Sequence, residues 1–459
     1  MQKFRIHVAE NPEDNAMLQA MYSRSSESVD DHIEKVKQSG SGKFMEQYYV
    51  GYSHASIGDC GMTTMYFEGI SMLAAKAIQD HSLYNGQESS TRYIDWTSQP
   101  FFNPYKPGES GFAETETAYQ AMRKFYIESR PLIEAKLKQE HPMPEDGKQR
   151  VYDKAIAARA FDILRGFLPC GATTNVAWTT SLRNAHDHLT KLFFHPLEEV
   201  RDIAMHAYTT LWKVYPNSFR KDAASYEGRF NYNAPENEYL RRWDHFYATH
   251  MSVEGGRLLP KYDSEYVKMT LVSSGVPLSF QGSEHRPNKA MFPKHSTAAG
   301  SVVELNLVMD FGSFRDLQRH RNGYCSMPIV DPSGPIHAWY IDQLPEEVRG
   351  NIFEGPLPDL LEAISWKIED KHKDLRFQYA QPMATIVPVK LGYTIPQLAY
   401  VGQLRAGATV HSTLRPWAQS VCKALNEVGI KVEYDETPDP WDLRRGEQDI
   451  VRKSDGEVR

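Results

Sequence analysis

The 459-residue sequence is short of cysteine, of long apolar runs and of positive charge, and each shortage removes a class of protein. Its four cysteines (Cys60, Cys170, Cys325 and Cys422) stand far apart with no CxxC pair, so neither a disulfide framework nor a zinc ribbon is indicated. No run of about 18 apolar residues occurs, and the opening MQKFRIHVAE lacks the apolar core of a secretion signal. Lys and Arg number 52 against 59 Asp and Glu, a formal net charge of −7, which argues against a broad nucleic-acid footprint. The glycine patterns GxGxxG and GxxxxGK are missing, and so is the nucleophile elbow GxSxG. What is present is an ordinary globular composition, 41% hydrophobic and 24% charged. The expectation is a cytoplasmic protein of two or three domains that binds neither membrane nor nucleic acid. An anionic ligand would then need a local cluster of arginines.

Two such places stand out. Residues 318–328 read QRHRNGYCSMP, with Arg319, His320 and Arg321 in a row after the apolar stretch VELNLVMDFGSF. This is compatible with a charged helix C-terminus favoured by the macrodipole, and equally with an anion socket. Residues 85–96 read NGQESSTRYIDW, where Glu88, Ser89, Ser90, Thr91 and Arg92 crowd hydroxyls, a carboxylate and a guanidinium together. Hydroxyls and free N–H groups cradle phosphate, and arginine grips it bidentately, although a solvated polar turn would read the same way.

A faint internal repeat connects the two. MLAAKAIQDHSLYNG (72–86) resembles GSFRDLQRHRNGYCS (312–326) when His81 is set against His320. About a hundred residues later each copy has a second block, RGFLPCGATTNVAWTTSLRNAHDH (165–188) and ATIVPVKLGYTIPQLAYVGQLRAGATVHSTLR (384–415), aligned here through SLR and QLR. A short β-like stretch precedes the helical pattern in each copy (62–67 and 302–309), and HPLEEVRDIAMHAYTTLWKV answers to RPWAQSVCKALNEVGIKV. The expected organisation is copy one over 1–216, a linker over 217–256, copy two over 257–438 and a charged tail over 439–459. The fold class is mixed α/β of the α+β kind, each copy a small, mostly antiparallel sheet packed with several helices. His186 and His188 are two residues apart on a predicted helix and point to different faces, so no metal site is expected.

At this point the motifs resemble those of the flavin-dependent thymidylate synthases, the ThyX class, whose signature runs RHR…NExSxRY. Here the signature is split. Copy two holds Arg319-His320-Arg321 but has Ile329 where the serine belongs, while copy one holds Glu88, Ser90, Arg92 and Tyr93 but has Asp80-His81-Ser82 in place of RHR. YSHASIGDC (52–60) resembles the family's H-x-S/T-P-F-E-H block through His54 and Ser56, and RGFLP and WTTSLR resemble its ARxVLP and WTxNxR blocks, with Arg165 and Arg183. The likeness covers roughly residues 10–215 and, more weakly, 285–430.

The resemblance implies pockets built between subunits, and the losses in the two copies are complementary. It implies one composite pocket holding dUMP through Glu88, Ser89, Ser90, Thr91 and Arg92 with Arg319 and Arg415, of which Ser90, Arg319 and Arg415 would be catalytic. Arg415 would polarise the uracil, its place in copy one being taken by Leu192. His54, Ser56, Arg183, Arg319, His320 and Arg321 would hold FAD. NADPH would be the reductant and methylenetetrahydrofolate the one-carbon cosubstrate for conversion of dUMP to dTMP. A homodimer of such two-copy chains would stand in for the family's tetramer. A flavin enzyme acting on another pyrimidine nucleotide and a non-catalytic nucleotide-binding regulator are the alternatives. The family's asparagines fall at Ser181 and Asp187 in copy one and at Gln403 and Thr409 in copy two, and its arginine before VLP falls at Ala384 in copy two.

Overall fold

The computed structural model describes residues 5–9, residues 11–220 apart from 24, 26, 52–54, 82, 92–93 and 146, strands at 251–254, 257–260 and 268–271, and residues 302–438 and 441 apart from 322, 328–329, 331–333, 352–353 and 365–373. Strand β2 (Met62–Ser71) shows why sheets form here. Thr63, Met65 and Phe67 are buried while Met62, Tyr66 and Glu68 are exposed, the two-residue period of a half-buried strand. The alternation breaks at a bulge between Phe67 and Ile70, where Gly69 takes φ of 69°, a value that suits a residue without Cβ. With β1 (Arg5–Ala9), β3 (Asn85–Glu88) and β4 (Thr173–Ser181), β2 forms an antiparallel sheet of order β1-β2-β4-β3.

The helix Met72–Gln79 leaves the end of β2, buried along its whole length, and Ser71 caps it by accepting from the backbone N–H of Ala74. The buried carboxylate of Glu199, on the helix Glu198–Val214, takes both the Ser71 N–H (2.9 Å) and its hydroxyl (2.5 Å). This carboxylate is buried but satisfied, as burial of a charge requires.

A second sheet has the same plan. Beyond a separate hairpin of β5 (Met251–Glu254) and β6 (Arg257–Pro260), strands β7 (Lys268–Leu271), β8 (Val302–Asp310), β9 (Gly323–Ser326) and β10 (Ile386–Thr394) pair antiparallel in the order β7-β8-β10-β9. The fold class is therefore the expected one, small antiparallel sheets with many helices. The order of elements also recurs. After β2 comes the helix Met72–Gln79 and after β8 the helix Phe311–Gln318, with caps Ser71 and Asp310 each ten residues ahead of His81 and His320.

The second blocks pair differently from the sequence alignment. β4 and β10 are both nine residues long, and each leads into an eleven-residue helix, Leu182–Leu192 capped by Ser181 and Ile395–Arg405 capped by Thr394. Pro169 and Pro382 each stand four residues ahead of their strand. Ser181 thus answers to Thr394, not Gln403, and Arg165 answers to Gln378, not Ala384. Leu192 and Arg405 occupy the same place, the last residue of the helix. SLR and QLR are a chance likeness between the start of one helix and the end of another.

The compact units do not follow the copies. One unit comprises Met1–Ser89 with Thr173–Arg241, and the other Ser90–Ala172 with Arg242–Arg459. The long helices Phe112–Glu140 and Gln149–Leu164 of copy one therefore lie in the unit that carries the second sheet, where Pro356–Ile364 packs on Phe112–Glu140. Within that unit the turns at 166–171 and 379–384 exchange main-chain bonds around a Pro169–Pro382 bridge. Cys170 N–H donates to Gln381 O (2.8 Å), Gly171 to Tyr379 O (2.7 Å), Met383 to Leu168 O (2.9 Å) and Ala384 to Gly166 O (2.8 Å). Equivalent residues of the repeat thus pair with each other, and this exchange sets Arg165 beside the second sheet's helices.

Candidate functional site

The site grows from the end of β8. Asp310 is fully buried and caps the helix Phe311–Gln318, its Oδ2 accepting from Ser313 N–H (3.0 Å) and from the Tyr340 hydroxyl (3.0 Å). Two turns on, the helix closes at Arg319, where a cation also suits the carbonyl end of the helix dipole. Asp316 lies one turn earlier, with Oδ1 3.6 Å from Arg319 Nη1 and Oδ2 3.8 Å from Arg165 Nη2. Arg405 closes the group. Its Nη2 donates to the main-chain oxygen of Asp316 (2.6 Å) and its Nε to His320 Nε2 (2.8 Å). That second bond requires a neutral imidazole with its lone pair on Nε2.

Electrostatics follow from this crowding. Burial would raise the Asp316 carboxyl, but Arg319, Arg405, Arg165 and Arg315 outweigh it and hold the group well below the usual carboxylate range. Four guanidinium groups face three carboxylates, Asp316 together with Asp162 and Asp310 beside Arg165, which leaves one positive charge in excess. Burial works against the charge on Arg165, yet Tyr340 and the carboxylates of Asp316, Asp162 and Asp310 keep it firmly protonated. Its Nε and Nη2 are buried without hydrogen-bond partners, and so is Asp310 Oδ1. Unpaired buried donors cost stability, so a cluster of this kind is suited to a ligand that supplies acceptors. A further layer backs it. His411 is buried between Thr413 Oγ1 (2.8 Å) and Asp162 O (3.0 Å), and Ser313 meets Thr413 (2.8 Å).

Residues 6–217 match the family model described as "Thymidylate synthase complementing protein". This part of the chain is similar to that family. Over most of its length the chain is also similar to two proteins named UPF0159. It is 22% identical to one from Chlamydia muridarum, covering 90% of this chain and 84% of that one, and 24% identical to one from Thermoplasma acidophilum, covering 90% and 93%. Among solved structures it resembles the UMP/dUMP methylase PolB from Streptomyces cacaoi bound with 5-Br dUMP, at 16% identity and TM-score 0.32, over 47% of this chain and 93% of that one. Thymidylate Synthase X (ThyX) from Helicobacter pylori with FAD and dUMP matches at 16% identity and TM-score 0.29, over 49% and 100%.

Within residues 6–217 the site residues expected from sequence fall in both units. Glu88 ends β3 and accepts from Gln79 Nε2 (3.0 Å), while the N–H of Ser89 continues the sheet onto Asn175 O (2.9 Å). Ser90 and Thr91 belong to the other unit, where Thr91 is buried and its carbonyl accepts from Trp96 Nε1 (3.0 Å). Ser56 sits on the short helix Ala55–Cys60, whose Asp59 pairs with Arg183 (2.6 Å). His54 and Arg92 lie outside the described residues. Among the described residues no hydrogen bond or ion pair joins Ser90 or Thr91 to Arg319 or Arg415.

Arg415 is placed where it cannot readily serve as expected. It is 1% exposed, and its guanidinium is taken up by carbonyls of Ala406, Thr437 and Pro438 and by the Asp435 carboxylate (3.0 Å). In place of a uracil contact it anchors the extended segment that follows residue 430. The arginine that stands beside Arg319 is Arg405, at the position of Leu192. Sequence reasoning passed over it, together with Asp316 and Arg315, because the QLR likeness hid its register. Counting from the caps Ser181 and Thr394 would have exposed it. Arg321 is half-buried next to His320. Among the described residues no group of three or more His, Cys, Asp or Glu is arranged for a metal, and no helix is long and apolar enough to cross a membrane.

Proposed function

We propose that the chain is a flavin-dependent methylase of uracil nucleotides, converting dUMP to dTMP with methylenetetrahydrofolate and NADPH. The observation that carries this reading is the cluster of Arg165, Arg315, Arg319 and Arg405 around Asp316 at the position that matches the family's RHR. The matching place in the first unit lacks it. There Lys76, Ala77, Asp80 and Leu192 replace Arg315, Asp316, Arg319 and Arg405, which cancels the charge. Only the second unit is thus built for an anion, and Glu88, Ser89, Ser90, Thr91 and Arg92 supply the remaining nucleotide contacts. We assign a homodimer as the working assembly.

The orphaned N–H groups of Arg165 fit a flavin or nucleotide, both rich in acceptors. FAD, when bound, supplies the electrons that turn a one-carbon bridge into a methyl group. The chain's own part is binding and charge placement. Arg319, 40% exposed, faces the ligand, and we assign His320 and Arg321, with His54, Ser56 and Arg183, to the flavin. Arg405 takes the role first expected of Arg415, stabilising negative charge on the pyrimidine from a fixed position. Two hydrogen bonds preset that position, so no reorganisation is needed when charge develops.

Two measurements test the proposal. The purified protein mixed with FAD should absorb near about 450 nm as a bound flavoprotein, and tritium should leave 5-labelled dUMP when NADPH and methylenetetrahydrofolate are added. Flavin binding without tritium release points to another pyrimidine as substrate. A protein that takes up neither FAD nor dUMP is not this enzyme.

A further inference from the structure

Arg319, Asp316 and Arg165 stand in a row that offers a donor, an acceptor and a donor. The two gaps, 3.6 Å and 3.8 Å, exceed hydrogen-bond length, so no member of the row is satisfied by its neighbour. Among the described residues the Asp316 carboxylate accepts no side-chain or main-chain hydrogen bond, and Arg165 Nε and Nη2 donate none. The row opens to solvent at Arg319 and Asp316, 40% and 18% exposed, and Arg165 forms its buried end at 11%. Arg405 and the helix Phe311–Gln318 hold it in place from behind, through the bond from Arg405 Nη2 to Asp316 O.

The chemistry of these groups restricts what can satisfy all three. A guanidinium only donates and an ionised carboxylate only accepts. A phosphate would satisfy both arginines but press its charge against Asp316. A lone sugar hydroxyl would satisfy Asp316 and leave Arg165 unpaired. The matching partner has an acceptor on each side of a donor. We propose that Arg319, Asp316 and Arg165 read the imide edge of a planar ring, an N–H between two carbonyl oxygens. Both a uracil ring and the isoalloxazine ring of a flavin present that edge. The proposal rests on the reading of the chain as a nucleotide- and flavin-binding protein, and makes Asp316 the residue that selects the ring.

Methylation of the imide nitrogen removes the central donor and leaves the flanking carbonyls. Calorimetric titration of the full chain with dUMP and N3-methyl-dUMP, and with FAD and N3-methyl-FAD, therefore isolates the contact. In one of the two pairs the methylated ligand should bind on the order of 10- to 100-fold more weakly, the worth of a hydrogen bond to a charged group. The pair that discriminates identifies the ring. In Asp316→Leu, of similar shape but without an acceptor, the difference should fall below about 3-fold. Equal binding within both pairs, with dUMP and FAD themselves still bound, overturns the imide reading alone. Discrimination that survives in Asp316→Leu also overturns it, because another group then reads the edge. Failure of the native chain to bind either dUMP or FAD removes the functional reading and this proposal with it.

Discussion

Replacing Arg405 by leucine installs in the second unit the residue the first unit already has at Leu192, and so tests whether that one difference separates a working site from an idle one. The substitution removes the donors to His320 Nε2 (2.8 Å) and Asp316 O (2.6 Å) and takes one positive charge from the cluster. For a ligand charge about 5 Å away, an effective dielectric of about 20 gives roughly 3 kcal/mol of lost attraction, which solvent and relaxation reduce to about 2 kcal/mol. That corresponds to about 30-fold weaker binding of dUMP. Stability should change far less. Two hydrogen bonds disappear, but so does the repulsion from Arg319, which together with burial destabilises the charge on Arg405. Calorimetric titration with dUMP at low salt reads the binding, and thermal melting checks the fold. Arg405→Lys should recover part of the affinity, since it restores the charge without the forked geometry. A folded Arg405→Leu protein that binds dUMP within about 3-fold of the native chain would refute the reasoning.

Other consequences are as accessible. Burial pushes His188 and His195 down to about 3, below the ordinary value of 6.5, so the unfolded chain binds more protons between those limits. Their contribution is complete above about pH 6.5 and is lost as pH falls toward 3, at up to about 1.4 kcal/mol per unit for each group, and urea titrations from pH 7 to 4 should show that slope flatten in His188→Phe. A Cβ on Gly166 would run into the Tyr340 ring, so Gly166→Ala should cost about 1–3 kcal/mol in the same assay, and a neutral result would mean that Tyr340 is free to move. Arg415→Met should loosen the segment after residue 430, seen as faster proteolysis there, while dUMP affinity stays within a few-fold. A complete loss of binding with the segment still protected would return Arg415 to the pocket.

The sequence by itself determined the class of fold, the elements and their capping. The alternation in MTTMYFEGIS dictates a half-buried strand, and Ser71 and Asp310 mark where strands give way to helices, because burial periodicity and capping act over a few neighbouring residues. The family motifs were equally legible, including the complementary loss of RHR and ESSTRY. The choice between Arg405 and Arg415 was not legible. They lie ten residues apart, and only the helix register shows that one ends against Asp316 while the other closes on carbonyls at residues 437–438. Nor could the sequence show that Arg165, more than 150 residues upstream of Asp316, would share a carboxylate with Arg319. Side-chain charge is a local property, but the value of a charge depends on which others the folded chain brings within a few ångströms. Only the tertiary structure decides that.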